Sequence, residues 1–328
     1  AMRAWQVGRH GPPGDVLGLV DIEEPTPGPG EIRVRVAAAA IGLPDVLMCR
    51  DEYAFKPRLP FVPGQEVCGT VVAVGDGVDL VVGSRVMGVT CFYDGRGGFA
   101  EATILGAVNA FRVPESMPAV DAASFRIGFS TAWAALVRRG ALAAGETLVV
   151  LGAAGGSGLT AVQLGHALGA RVIAVGAGGE RLEACRRLGA EVLIDRTSES
   201  LPEVVLQATD GKGADVIFDP VGGELATAAL QGLGSGGRFL AIGFASGEWV
   251  KVDTHELVWR NQSLVGVLAA GQTREEDEAD HEALLALAAE DKLRSLTTTV
   301  GFHEVPDALE QVAAGSAMGK LVVDIANG

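Results

Sequence analysis

The sequence predicts an α/β protein in which an antiparallel β domain precedes a doubly wound parallel sheet. Two changes of pattern carry this. Up to about residue 120, β-branched runs such as "EIRVRVAAAA", "GTVVAVG" and "SRVMGVT" alternate with turn stretches such as "PTPGPG" and "VGDGV", as expected of antiparallel strands joined by tight turns. From about residue 146 six apolar runs, "TLVVL", "RVIAV", "EVLID", "ADVIFD", "RFLAIG" and "SLVGV", are separated by helical patterns. Strands alternating with helices predict a parallel sheet with helices on both faces. The expected division is a first domain of residues 1–122, completed by 268–328, and a dinucleotide-binding domain of residues 123–267.

The helices fit that plan. In "LTAVQLGHALGA" the residues Ala161, Leu164 and Leu168 recur at helical spacing, and "GA" is a C-terminal stop. The acidic stretch "REEDEADHEALLALAAEDK" reads as a solvated helix start, and "GKLVVDI" as a last strand returning to the first domain.

Composition narrows the function classes. The chain has 328 residues, 48% hydrophobic and 20% charged, which is globular composition. A net charge of −15 argues against an electrostatic grip on nucleic acid or on an anionic membrane, leaving small molecules as the expected partners. No apolar run approaches the length of a membrane span and no signal-peptide pattern opens the chain, so a cytoplasmic location is expected. The four cysteines (Cys49, Cys68, Cys91, Cys185) form no C-x-x-C pair and are expected to be reduced thiols. Cys68 reads as a small buried residue on a strand.

"TLVVLGAAGGSGLTAVQ" is a strand, a glycine turn and a helix start, with Ala153, Gly155 and Gly158 at the three positions of G-x-G-x-x-G. Small residues let the backbone approach a pyrophosphate, and the helix N-terminus offers it unpaired N–H groups. Ala154, Gly155, Gly156, Ser157 and Gly158 are therefore the expected cofactor cradle. At the end of the second strand, where a carboxylate would bond the ribose of NAD, stand Gly176, Ala177, Gly178 and Gly179, followed by Glu180 and Arg181. With Arg196 after the third strand, this favours the 2'-phosphate of NADP(H). The alternative is that both arginines are solvated surface residues.

These segments, with "PDVLMCRDEYAFKPRLPFVPGQEVCGTVVAVG", "GGFAE", "STAWAAL", "FDPVGG", "IGFASG" and "MGKLVV", together resemble the medium-chain dehydrogenase/reductase superfamily, and more closely its zinc-free quinone oxidoreductase branch. The resemblance spans essentially the whole chain. It implies a GroES-like catalytic domain, a Rossmann domain, an active-site cleft between them, and homodimers that pair the sixth strands, here "SLVGV". In the zinc alcohol dehydrogenases of the superfamily, a cysteine three residues before an aspartate and the histidine of a G-H-E triplet bind the catalytic metal. The matching residues here are Gly42 and Gln65, which are not zinc ligands, and the cysteine-rich structural lobe is absent, so no metal is expected.

Without a Lewis acid, the expected acceptor is already electrophilic: a quinone, enone, enal or enoyl thioester. Tyr53 matches a tyrosine that lines the substrate cleft in the family and is the candidate hydroxyl donor, with Asp45 as the second candidate catalytic residue, ordering that loop. By the same resemblance Thr131 lies beside the nicotinamide carboxamide, Gly243, Phe244 and Ser246 lie along the nicotinamide half, and Lys320 lies near the cleft on the cofactor side. Three positions depart from the family pattern. Gly42 stands where quinone reductases usually carry an asparagine, Arg126 replaces a proline, and Arg196 replaces a tyrosine. The leading expectation is an NADPH-dependent reductase of quinones or other conjugated carbonyls. An enoyl-thioester reductase and a non-catalytic NADPH-binding protein are the alternatives.

Overall fold

The computed structural model describes residues 1–328. Its strands in chain order are β1 (Met2–Val7), β2 (Leu17–Ile22), β3 (Glu31–Ile41), β4 (Glu66–Val74), β5 (Arg85–Val89), β6 (Ala102–Gly106), β7 (Ala110–Arg112), β8 (Thr147–Leu151), β9 (Arg171–Gly176), β10 (Ala190–Asp195), β11 (Ala214–Asp219), β12 (Leu233–Ala241), β13 (Ser263–Gly266), β14 (Thr297–Gly301) and β15 (Lys320–Asp324). No helix is long and apolar enough to cross a membrane.

The chain forms two compact units. Ala1–Ile127 with Ser295–Gly328 make the first, and Gly128–Arg294 the second. The boundary expected at residue 268 therefore falls at Ser295. The intervening helix Arg274–Ala289 is held to the second unit by Arg138, whose guanidinium donates to both oxygens of Asp280 at 2.7 and 2.8 Å. Gln163 then fixes the end of the unit, accepting the Arg294 N–H at 2.7 Å and donating to its carbonyl at 3.0 Å.

In the first unit β3 organises a seven-stranded sheet of order β14-β15-β3-β4-β5-β7, and β6 also pairs with β3. The eleven residues of β3 are long enough to pair with β4 along their length and, at opposite ends, with β6 and β15. All these pairings are antiparallel, but β14 joins β15 in parallel, a departure from a purely antiparallel domain. The connection between β14 and β15 contains the helix Val305–Ala313, which makes such a crossover possible. Ile32, Val34, Val67, Phe99 and Val323 bury one continuous core, and the Trp5 indole N–H donates to the Phe302 carbonyl at 2.7 Å across 297 residues.

The second unit is a six-stranded parallel sheet of order β10-β9-β8-β11-β12-β13, its six strands being the six apolar runs of the sequence. Strands covered on both faces read as continuous apolar runs, and β8 is buried at all five of its positions. The helix Gly156–Ala167 approaches the end of β8 so closely that a Cβ on Gly158 would collide with the Gly152 carbonyl oxygen and lie 2.6 Å from the Ala153 Cα. Gly158→Ala is therefore expected to destabilise the protein by about 1–3 kcal/mol in urea unfolding. Gly179→Ala, whose Cβ would meet open space, should stay within about 0.5 kcal/mol. Equal losses in the two variants would contradict this account of the turn.

Candidate active site

In the first unit the sequence stretch "GLPD" ends β3 and starts the helix Leu43–Cys49, and its geometry follows from residue types. Gly42 caps the helix in an extended conformation, Pro44 occupies the first turn, and the Asp45 carboxylate reaches back to accept the Gly42 N–H at 2.9 Å. The other Asp45 oxygen accepts the Gly64 N–H at 3.1 Å, so one buried side chain joins the helix start to the loop "PGQE". That loop needs glycine. Gly64 has φ +112°, and a Cβ there would lie 2.7 Å from the Gly98 N and the Phe99 N. The Gly64 carbonyl is held by the Thr90 hydroxyl at 2.6 Å and the Gly98 N–H at 2.8 Å.

The loop delivers two neighbouring side chains to different places. Gln65 donates its amide to the Tyr53 hydroxyl over a long 3.5 Å. Glu66 is buried, and one of its oxygens accepts the Ile127 N–H at 2.8 Å while the other has no hydrogen-bond partner. Burial pushes the Glu66 carboxyl up to about 7, against the opposing pull of Lys320. Asp45 is likewise pushed up to about 6 by burial, against its backbone donors and Lys320. Lys320, the first residue of β15, reaches this cluster because Leu321 pairs with Ile41, which puts Lys320 across from Gly42.

Asp45 and Lys320 are thus brought to one neighbourhood and Tyr53 meets Gln65, with Asp45 acting on backbone N–H groups rather than presenting a carboxylate to solvent. Arg126 does not present a solvent cation either. It is buried, with its guanidinium carbon 3.7 Å from the centroid of the Phe111 ring. Beside Tyr53 lies an aromatic group that the sequence reading did not include. Phe55 contacts Tyr53, Phe92 and Tyr93 at centroid separations of 5.9, 5.5 and 6.4 Å. Its signal was available in "YAF" and "CFY". The four cysteines are all buried and none is disulfide-bonded. Glu31, Cys91 and Asp94 offer ligand atoms within 4.8 Å of one another, but the Arg96 guanidinium fills their midst, pairing with Glu31 at 2.7 Å and Asp94 at 2.5 Å.

In the second unit Gly155 caps the helix Gly156–Ala167 without a side chain, so the first-turn N–H groups have no side-chain acceptor. Ala154 and Gly158 are buried beneath this turn and Ser157 is exposed on it. Thr160 binds the helix to the preceding segment, its hydroxyl donating to Ser157 at 2.7 Å and to Gly128 at 3.2 Å, three residues before Thr131. At the end of β9, Arg196 donates its N–H to the Gly176 carbonyl at 2.9 Å, and Arg181 follows on the helix Gly179–Arg187. Glu180 is exposed. The Asp195 carboxylate is turned onto the Thr197 N–H and hydroxyl at 3.0 and 2.6 Å.

Gly243, Phe244 and Ser246 form a shelf after β12 that hangs from the end of β11. Backbone N–H groups of Gly243, Ala245 and Ser246 donate to Asp219, Pro220 and Val221. The fully buried Asp219 carboxylate accepts the Val221 and Gly222 N–H groups at 2.9 and 2.8 Å. Asp219 was missed by the sequence reading, although an aspartate ending a strand before "PVGG" is a turn signal. Phe244 is braced by Trp249, with centroids 4.8 Å apart.

A GroES-like sheet, a doubly wound parallel sheet and a glycine-rich turn between strand and helix define a two-domain dehydrogenase. Residues 28–115 match the family model described as alcohol dehydrogenase GroES-like domain, and residues 156–290 match the one described as zinc-binding dehydrogenase. A quinone oxidoreductase-like protein 2 homolog of Nematostella vectensis is 33% identical over 304 residues, covering 90% of this chain and 82% of that one. A polyketide synthase subunit of Mycobacterium tuberculosis, of the phenolphthiocerol/phthiocerol type, is 31% identical over 95% of this chain but only 14% of its own length. A mycobacterial protein solved in complex with NADPH superposes with a TM-score of 0.89 at 28% identity, over 99% of this chain and all of that one. The chain belongs to the medium-chain dehydrogenase/reductase superfamily, in its quinone oxidoreductase branch, and is an oxidoreductase of that type.

The buried carboxyls give a pH signature. Folded Glu66 holds its proton more tightly than an unfolded glutamate, so its contribution to stability is full below the ordinary carboxylate range and is lost as pH rises through about 7. Glu66→Gln keeps a carbonyl oxygen for the Ile127 N–H but cannot ionise. The variant is expected to gain stability relative to the native chain as pH rises from about 5 to about 8, by up to about 3 kcal/mol in urea unfolding. A stability difference constant over that window would show that Glu66 does not titrate in it.

Proposed function

We propose that the protein is a zinc-independent, NADPH-dependent oxidoreductase that reduces quinones or other α,β-unsaturated carbonyls. The observation that carries this is the pair Gly42 and Gln65. They occupy the two positions at which zinc-dependent relatives place metal ligands, Gly42 beside the ammonium of Lys320 and Gln65 beside the hydroxyl of Tyr53. Neither glycine nor a side-chain amide is a good zinc ligand, so polarisation of a carbonyl falls to hydrogen-bond donors.

The residues of the second unit suit the cofactor. The uncapped turn Ala154–Gly158 offers backbone N–H groups to a pyrophosphate, and Arg181 and Arg196 flank a strand end at which the Asp195 carboxylate is engaged by the Thr197 N–H and hydroxyl. Thr131, Gly243, Phe244 and Ser246 line the nicotinamide half in this reading, and the resemblance gives Lys320 to the cofactor side as well. Bound there, reduced nicotinamide supplies a hydride. Tyr53 donates a hydrogen bond to the acceptor oxygen, Asp45 holds the loop carrying Gln65, and Glu66 holds the backbone at Ile127.

The similarity to a segment of a polyketide synthase subunit favours a second reading, in which the conjugated carbonyl is an enoyl thioester. One acceptor panel tests both. NADPH oxidation is measured with 1,4-naphthoquinone, 2-cyclohexen-1-one and crotonyl-CoA, with and without EDTA, in the native chain and in Arg181→Ala/Arg196→Ala. Turnover of the first two, unchanged by EDTA and with NADPH preferred over NADH, is the expected outcome. Loss of both arginines should weaken NADPH binding about tenfold or more and leave NADH binding unchanged. Turnover of crotonyl-CoA alone selects the second reading, and activity lost to EDTA overturns the zinc-independent one.

In the second unit β13 pairs only with β12, and its other edge is unpaired. Leu264, Leu268, Val258 and Trp259 are exposed around it, at 43%, 76%, 76% and 79%. An open edge flanked by large apolar side chains suits a second copy of the chain paired across β13. Light scattering should give a dimer for the native chain and a monomer for Leu264→Asp, and a native monomer at micromolar concentration would refute the pairing.

A further inference from the structure

The parallel sheet reverses its strand order between β8 and β11, which pair side by side from Val216 with Leu148 to Phe218 with Val150. Ligands of such sheets bind outside the carboxyl ends of the strands at that point. The residue that ends β11 there is Asp219, which is fully buried. One of its side-chain oxygens accepts the backbone N–H groups of Val221 and Gly222 at 2.9 and 2.8 Å, and the other has no hydrogen-bond partner. A buried carboxyl with one oxygen unsatisfied costs stability. What it secures is the shape of the turn "PVGG", residues 220–223.

That turn touches both ends of the proposed cofactor site. On one side stands Gly152, which opens the glycine turn after β8. A Cβ there would lie 2.9 Å from the Val221 Cγ2 and 3.9 Å from the Pro220 Cγ. On the other side, the carbonyls of Asp219, Pro220 and Val221 accept the N–H groups of Gly243, Ala245 and Ser246 at 3.2, 3.1 and 2.9 Å. A Cβ on Gly243 would lie 2.9 Å from the Pro220 carbonyl oxygen, and one on Gly222 would collide with the Glu248 carbonyl oxygen. Packing this close passes a displacement on instead of absorbing it.

We infer that Asp219 is a positioning residue for the cofactor: by fixing the turn 220–223 it sets the distance between the glycine turn that receives the pyrophosphate and the shelf that receives the nicotinamide. This rests on the cofactor reading above. Without the carboxylate two buried N–H groups lose their acceptor, the turn opens, and the shelf moves with it through its bonds to Gly243, Ala245 and Ser246. The glycine turn keeps supports of its own, since the Gly152 carbonyl accepts the Gly155 N–H at 3.0 Å and the Ala153 N–H donates to the Val175 carbonyl at 2.9 Å. The loss therefore falls on a ligand long enough to reach both places. NADPH is such a ligand, whereas its fragment adenosine 2',5'-bisphosphate stops at the glycine turn.

Dissociation constants are measured for NADPH by the fluorescence of its nicotinamide ring and for adenosine 2',5'-bisphosphate by titration calorimetry. Asp219→Ala should raise the NADPH constant about tenfold or more and leave that of the bisphosphate within about twofold. Asp219→Asn keeps a carbonyl oxygen for both N–H groups and should return the NADPH constant to within about threefold of native. Val221→Ala leaves the Asp219 side chain in place and withdraws the methyl groups from Gly152. It should raise the NADPH constant about threefold or more with the bisphosphate unchanged, and it carries the test if Asp219→Ala does not fold. An equal rise for both ligands would make Asp219 a support of the whole unit and overturn the inference. So would a native NADPH constant in both alanine variants, or an Asp219→Asn chain as weak as Asp219→Ala. If the native chain prefers NADH to NADPH, the 2'-phosphate reading fails by itself. The inference then stands if NADH binding weakens in the variants while 5'-AMP binding does not, and falls otherwise.

Discussion

A single carboxylate, that of Asp45, takes backbone N–H groups from two sides: Gly42 at the end of β3 and Gly64 before β4. Buried backbone donors need acceptors, and a carboxylate is the strongest acceptor a side chain offers. Because Asp45 satisfies both at once, the helix start and the "PGQE" loop cannot move independently. The distance between Gln65 and Tyr53, the orientation of Glu66 towards Ile127, and the position of Gly42 all inherit that constraint. Burial makes the arrangement uneasy, since two acids with raised proton affinity share a neighbourhood with one lysine. Backbone hydrogen bonds hold the acids in place where ion pairs do not.

In the function proposed above, the two units bind charge in different ways. The second uses main chain: an uncapped helix start, a shelf hung from Asp219, and glycines where backbone meets backbone. Under that proposal such a site would recognise a shape common to many nucleotides, with side chains refining it only at the margin, at Arg181 and Arg196. In the same proposal the first unit uses side chains from widely separated stretches, so single substitutions at positions such as 53 and 65 would change its selectivity. Conserving the carrier while varying the acceptor is what this division permits.

Much of the fold was legible in the sequence because apolar periodicity dominates it. The six strands of the parallel sheet each carry an apolar run, and the glycine turn stands between a strand and a helix. The boundary near Ser295 was not legible. The acidic helix Arg274–Ala289 declares a solvated face, but nothing local reveals that Asp280 will be taken up by Arg138, distant in sequence. The site was legible in part. Gly42 and Gln65 could be read as poor zinc ligands by residue type alone, and Tyr53 was a candidate through its motif. The neighbourhood of Lys320 and Gly42 was not legible, because it depends on the register between β15 and β3. The role of Asp219 escaped because its partners are backbone groups, which a sequence does not display.

That same pairing of β3 with β15 bears on how the molecule comes into being. On the ribosome the second unit is complete in sequence once Arg294 has been made, and its strands are joined by local crossovers. The sheet of the first unit must hold its longest strand, β3, with the β15 position beside it open until Lys320–Asp324 emerge. Contacts of such separation close late, because the entropy of the intervening chain must be overcome first. The neighbourhood of Gly42 is therefore assembled last, when the strand bearing Lys320 takes its place. A nascent chain that has folded its second unit still lacks the ammonium beside Gly42, so completion of the polypeptide and completion of that neighbourhood become a single event.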